Sequence, residues 1–136
     1  MQKTLFVIAA LLTARALVAA HFALIEAGGE VVTLRTQGAD GRWTETRLWI
    51  VDDEGVPWLH SGGKAWAERM AGDPIVELRR AGTVHRYRAH AVPGPHPHID
   101  QRLREKYGLV DRWMRFLGPD REDTLVVRLD RIEPSN

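Results

Sequence analysis

Arg42, Arg47 and Lys64 are the cations whose surroundings best suit an anionic ligand. Arginine presents a planar fork matched to phosphate oxygens, and lysine offers a point charge. Lys64 follows Gly62-Gly63 at the start of a helical stretch, where free backbone N–H groups can receive the same anion. Each cation also has a plainer role open to it. Arg42 can be a solvated turn residue, and Arg47 can pair with Glu45 across a strand surface for about 0–1 kcal/mol. Lys64 can be an ordinary first-turn residue, although a lysine there opposes the helix dipole unless an anion is present. No Ser-His-Asp set and no pair of carboxylates stands out. With no cysteine in the chain, disulfides, thiolate metal sites and a cysteine nucleophile are excluded.

The elements that must hold these residues follow from alternation and turn chemistry. Val31–Thr36 is rich in β-branched residues and reads as a strand. Gly38, Asp40 and Gly41 then make a turn. Thr44–Val51 alternates, with Thr46, Leu48 and Ile50 on one face and Glu45, Arg47, Trp49 and Val51 on the other. Asp52–Gly55 is a hairpin turn and Val56–Ser61 returns, with Pro57 placed at a strand start or edge. A short helix, Lys64–Ala71, ends at Gly72 and Asp73-Pro74. Ile75–Arg80 and Thr83–Val92 form a hairpin about Ala81-Gly82. Ile99, Leu103, Tyr107, Val110, Met114 and Leu117 recur at helical spacing, with a break expected near Gly108, and Thr124–Ile132 closes the chain as a strand. Many antiparallel strands joined by short hairpins favour a barrel or a sandwich.

The 136 residues make one domain with room for a real core. Five tryptophans are many for this length, so several must line a core, a pocket or an interface. Net charge is +1, and without residues 1–20 the chain holds 17 basic and 18 acidic residues. A nucleic-acid binder would show a marked basic excess, so no nucleic-acid partner is expected. Thr4–Ala14 is an apolar run after Lys3, continued by Ala16–Ile25 after Arg15. Residues 1–27 therefore read as a signal peptide or membrane anchor, with membrane contact through residues 4–25. Arg15 inside a span would cost roughly 2.5–3.5 kcal/mol, which favours a cleaved signal or a weak anchor over a comfortable crossing. Lys3 favours a cytoplasmic N-terminus and an exported or anchored domain on the outer side. The other reading is a buried N-terminal helix of a cytoplasmic domain.

LRTQGADGRWTETRLWIV, LHSGGKAWAERMAGDP and IVELRRAGTVHRYRAHAV, in that order, carry a family resemblance. The stretch Glu30–Val92 resembles the pyridoxamine-phosphate-oxidase-like, FMN-binding split barrels, and more narrowly the deazaflavin-dependent nitroreductase group. The chain departs from that group at Arg47, where a proline is frequent, at Thr44, where a basic residue is frequent, and in a shortened loop between Ser61 and Trp66. The resemblance implies a mainly β (α+β) fold: a six-stranded antiparallel split β-barrel over residues 28–134. A short helix would follow its third strand and a longer helix would precede its last. It implies an oxidoreductase that binds a deazaflavin coenzyme (F-420) or FMN in a groove between strands, usually shared across a homodimer. Hydride would pass to a quinone- or nitroaromatic-like small-molecule substrate. In such a site Arg42, Arg47 and Lys64, with Gly62 and Gly63, would hold the cofactor phosphate. Thr46 and Ser61 would donate to ring or ribityl oxygens, and Trp66 would either wall the ring or pack its helix onto the barrel. The alternative function is a non-catalytic split barrel that binds a small ligand or dimerises.

Two further clusters carry less. His85, His90, His96 and His98 invite a metal reading, but catalytic zinc wants three convergent ligands and His96-Pro97-His98 matches no such spacing. No metal site is expected. Along Gln101–Arg115 and at its threshold, Asp100, Glu105 and Asp111 interleave with the arginines, which describes a salt-laced solvent face. By resemblance to exported or anchored relatives, that stretch would cover one barrel end.

Overall fold

Two-residue alternation sorts each strand into an inward and an outward face, and six strands use it to close a barrel. The computed structural model describes residues 2–61, 65–93, 95–117 and 125–132. In chain order they form α1 (Gln2–Ala27), β1 (Val31–Gln37), β2 (Trp43–Asp53), β3 (Val56–Ser61), α2 (Ala65–Gly72), β4 (Ile75–Arg80), β5 (Thr83–Pro93), α3 (Pro97–Leu117) and β6 (Leu125–Arg131). The strands run in the order β1-β2-β3-β6-β5-β4 and return to β1. Every neighbouring pair is antiparallel. The expected barrel, with its short helix after β3 and longer helix before β6, is the one observed.

Turn chemistry sets the hairpins. Glu54-Gly55 and Ala81-Gly82 both have consecutive positive φ values, 50° and 79° in the first and 48° and 80° in the second. That geometry twists in the same sense as the flanking strands. Pro57 pairs only with Asp52 of β2, and the ladder from β3 to β6 begins one residue later at Trp58. The missing N–H therefore falls where no bond to β6 is needed.

Val32, Leu34, Ile50, Leu59, Val76, Leu78, Val127 and Leu129 fill the barrel interior. Trp66, Ala67 and Met70 of α2 join the same cluster, so this short helix plugs one barrel end. Past it, the Asp73 carboxylate accepts a hydrogen bond from the Ile75 N–H at 3.0 Å, which turns the chain into β4.

The second half of β2 is buried on both faces: Ile50 points inward and Val51 outward. A second apolar layer is needed outside, and α3 provides it. Ile99, Leu103 and Tyr107 pack with Val51, Val126, Trp49 and Trp58 on the outer wall. This corrects the expectation that the stretch would cover a barrel end: α2 takes the end and α3 lies along the wall. Tyr107 pins α3 in place. Its ring stacks on Trp49 at 4.4 Å, and its hydroxyl accepts from the Ile50 N–H at 3.0 Å. The same hydroxyl lies 2.6 Å from the Glu30 carbonyl, to which it donates. Burial pushes the phenol up to about 12.

Gly108, at φ 54° and ψ −118°, interrupts α3 where a break was expected. An L side chain is strained there. Ile99, Leu103, Tyr107 and Val110 of the apolar stripe are buried, but Leu117 is exposed. That part of the expected stripe is corrected, because the change of direction at Gly108 carries the last turns off the barrel wall. Along α1, the residues from Thr4 to Ala20 are all exposed.

Candidate functional site

With α2 in one end and α3 on the wall of β2 and β3, the outward residues Thr33 and Arg35 of β1, Glu77 and Arg79 of β4 and Arg86 of β5 are at least partly exposed among the described residues. Register aligns these outward residues into rows. In one row, Thr33 of β1 lies between Arg47 of β2 and Arg79 of β4. In the next, Glu45, Arg35, Glu77 and Arg86 alternate in charge across four strands.

The alternating row neutralises itself. Arg35 meets Glu77 at 2.6 Å and Glu45 at 3.6 Å, and Arg86 meets Glu77 at 3.5 Å. The Arg47–Thr33–Arg79 row holds two guanidinium groups and a hydroxyl but no carboxylate. Adjacent strands lie about 4.8 Å apart, so two arginines flanking one strand can close on a single phosphate. Arg79 also contacts Glu45 at 3.8 Å, an exposed pair worth about 0–1 kcal/mol and open to competition from a dianion. Trp43 adds a planar apolar surface nearby, with the Arg35 guanidinium 5.1 Å from its ring centroid.

The residues singled out in the sequence are distributed unevenly. Arg47 is on this wall. Thr46, its neighbour, has the opposite parity, and its hydroxyl accepts from Arg69 Nη2 at 3.4 Å. Arg69 Nε also donates to Thr36 Oγ1 at 2.8 Å, so this guanidinium bridges two threonines at the barrel end plugged by α2. Arg42 sits in the β1–β2 turn at that same end, 88% exposed and 3.9 Å from Asp40. Ser61 is the last residue of β3, opposite Leu125. Trp66 is 4% exposed within the core and offers no face to a ligand. Gly62, Gly63 and Lys64 lie outside the described residues. Sequence reasoning missed Thr33, Arg79 and Arg69. The parity of Arg79 against Val76 and Leu78 was available, but its place beside Thr33 depends on the pairing of β1 with β4.

A second charged cluster closes the opposite barrel end. Arg80 holds two carboxylates at once, with Nε 2.6 Å from Glu30 Oε1 and Nη2 2.6 Å from Asp52 Oδ2. Lys106 Nζ donates to Glu30 at 2.7 Å and to the Ile50 carbonyl at 2.7 Å. The hydrogen bond from Arg80, opposed by desolvation and aided by Lys106, holds the Glu30 carboxyl at about 2, below its ordinary 4.5. Asp52 is lowered by the same guanidinium. An open cleft of about 390 Å³ beside this cluster is lined by Val51, Asp52, Arg102, Glu105 and Lys106. Two acids and two bases among these residues leave it no preference for an anion.

The depressed Glu30 value has a defined sign. Its folded pKa lies below the unfolded one, so its stabilisation is complete above about pH 5 and is lost as pH falls. After allowance for screening of a partly exposed group, it is worth about 1–2 kcal/mol. Glu30→Gln is expected to unfold at lower urea than the parent at pH 7, with the gap closing as pH falls below 4. A gap that stays constant with pH would refute the linkage.

The histidines have separate partners. His96 lies 2.8 Å from the Val92 carbonyl, His98 2.8 Å from Asp53, His90 3.1 Å from Asp130 and His85 3.1 Å from Arg131. Among the described residues, no three metal-ligating side chains converge.

No family model and no curated protein matches the chain. Solved structures do match. A heme storage protein, HutZ, from Vibrio cholerae superposes with a TM-score of 0.61 at 14% identity, over 77% of this chain and 83% of its own. An F420-H2-dependent reductase, FDR-A, superposes with a TM-score of 0.58 at 15% identity, over 74% of this chain and 94% of its own. A FAD-binding protein from Mesorhizobium loti gives a TM-score of 0.53 at 16% identity, over 77% of this chain and 83% of its own. These likenesses, at 14–16% identity, show the fold alone: a six-stranded split barrel.

Proposed function

We propose that the chain is a flavin- or deazaflavin-dependent oxidoreductase that passes hydride to a quinone- or nitroaromatic-like acceptor. The observation that carries this reading is the Arg47–Thr33–Arg79 row on the outer wall of a split barrel. Its donor chemistry fits a cofactor phosphate: two guanidinium groups with forked donors on either side of a hydroxyl. The likeness to a reductase that uses F420-H2 and to a FAD-binding protein supports the same class.

When bound, the isoalloxazine-type ring of FMN or of the deazaflavin supplies the hydride chemistry. The residues of the chain bind and orient it. Arg47 and Arg79 hold the phosphate, Arg42 adds charge from the β1–β2 turn, and Gly62, Gly63 and Lys64 contribute to the same anion site. Thr46 and Ser61 lie on the strands that lead to the plugged barrel end, where their hydroxyls serve ring or ribityl oxygens. Trp66 acts from within, by seating α2. A second copy of the chain shares the groove in a homodimer, a reading supported by a similar solved structure described as a domain-swapped dimer.

Residues 28–134 form the working domain, and residues 1–27 export or anchor it. The apolar span Thr4–Leu24 has 21 residues, a mean hydropathy of 2.0 and no burial in the fold, which supports a signal or anchor segment.

Absorbance and fluorescence titration of the full chain with FMN and with F-420 tests the proposal. Saturable binding of one of them, with acceptor-dependent oxidation of its reduced form, is the expected result. Failure to bind either defeats the enzyme. The heme storage neighbour favours a second reading, a barrel that only binds a planar ligand. Saturable binding with no turnover on any quinone or nitroaromatic would select it.

A further inference from the structure

Beyond Gly108, α3 turns an apolar face to solvent. Leu109, Trp113, Phe116 and Leu117 are 75%, 47%, 78% and 55% exposed, and their helical spacing places them on one face. The Trp113 and Phe116 rings stack with centroids 6.2 Å apart, and the exposed Arg112 flanks them. Large contiguous apolar surface is uncommon on a soluble monomer and marks a contact.

The occupant is indicated by what adjoins this face. Trp113 Nε1 donates to His21 Nδ1 at 3.3 Å, and His21 lies near the C-terminal end of the apolar span Thr4–Leu24. A Cβ on Gly28 would collide with Val110, and one on Gly29 with the Tyr107 ring, so the chain leaving α1 is seated directly against α3. Only residues 28–30 separate α1 from β1. At about 3.6 Å per residue, that link cannot hold the barrel far from the end of the span. Any bilayer that receives α1 therefore meets this face as well.

We propose that the Leu109–Leu117 face is a second membrane contact, lying in the headgroup boundary of the bilayer that α1 enters. Trp113 takes the interfacial position that amphipathic aromatic rings favour. Leu109, Phe116 and Leu117 reach the upper acyl region, and Arg112 meets lipid phosphate. With a span and an interfacial helix both engaged, the barrel is held in one orientation rather than tethered loosely. The proposal rests on the reading of α1 as a membrane helix.

The cysteine-free sequence allows a clean test. Phe116→Cys, Leu12→Cys and Arg88→Cys, each in the full chain, are labelled with an environment-sensitive fluorophore and reconstituted into phosphatidylcholine–phosphatidylglycerol vesicles. The expected result is a blue-shifted Leu12 probe and a blue-shifted Phe116 probe. Headgroup-proximal lipid quencher should lower the Phe116 emission about twofold or more, while the Arg88 probe stays open to aqueous iodide. A buried Leu12 probe with a Phe116 probe as open to iodide as Arg88 overturns this proposal and leaves the anchor standing. Water exposure of the Leu12 probe defeats the anchor reading and this one with it. A Phe116 shift that vanishes on dilution into excess lipid assigns the face to a second copy of the chain and overturns the proposal.

Discussion

Arg47→Ala combined with Arg79→Ala is expected to weaken binding of FMN or F-420 by roughly a hundredfold or more, with the fold intact. Each charge-assisted hydrogen bond contributes about 1.5–3 kcal/mol, and two of them exceed the ~2.7 kcal/mol that a hundredfold change requires. Both residues lie on the solvent side of the barrel, where truncation typically shifts stability by no more than about 0.5 kcal/mol. Urea midpoints and titrations on the same preparations separate the two effects. Arg42→Ala alone should cost less, because that side chain is 88% exposed and close to Asp40. An unchanged dissociation constant in the double variant would remove the wall from the site and leave the barrel without an identified anion clamp.

The largest stability effect is expected at Trp66. Trp66→Ala should destabilise the domain by about 3–5 kcal/mol, the usual cost of deleting a buried aromatic side chain. The indole is 4% exposed and shares one cluster with Leu34, Leu59 and Val127, so its removal opens the end that α2 plugs. Trp66→Phe keeps most of the volume and should cost well under half as much. Any loss of ligand affinity in Trp66→Ala should track the unfolded fraction and recover at lower temperature. A variant that melts like the parent but no longer binds cofactor would instead make the indole part of the binding wall.

These two residues illustrate how far local sequence carries the argument. Arg47 could be assigned to a strand face because Leu48 and Ile50 alternate with it. Trp66 could be assigned to a helix, but whether its ring met the core or a ligand depended on what lay beneath that helix. Thr46 is similar: its inward parity was readable, whereas its bond to Arg69 depends on how α2 is seated. The Arg80–Glu30–Asp52–Lys106 cluster joins β4, β2 and α3 to the link between α1 and β1, and no spacing announces it.

The linear sequence determined the succession of strands and helices along the chain, the hairpins at Glu54-Gly55 and Ala81-Gly82, the end of α2 before Asp73-Pro74 and the break at Gly108. Each of these rests on backbone preferences acting over a few residues. Tertiary structure alone decided that β1 pairs with β4 and β3 with β6, that α3 lies on the wall, and that Arg79 comes to stand beside Thr33. Those placements come from burying inward faces collectively, and the pairing of distant strands is set only when the whole barrel closes.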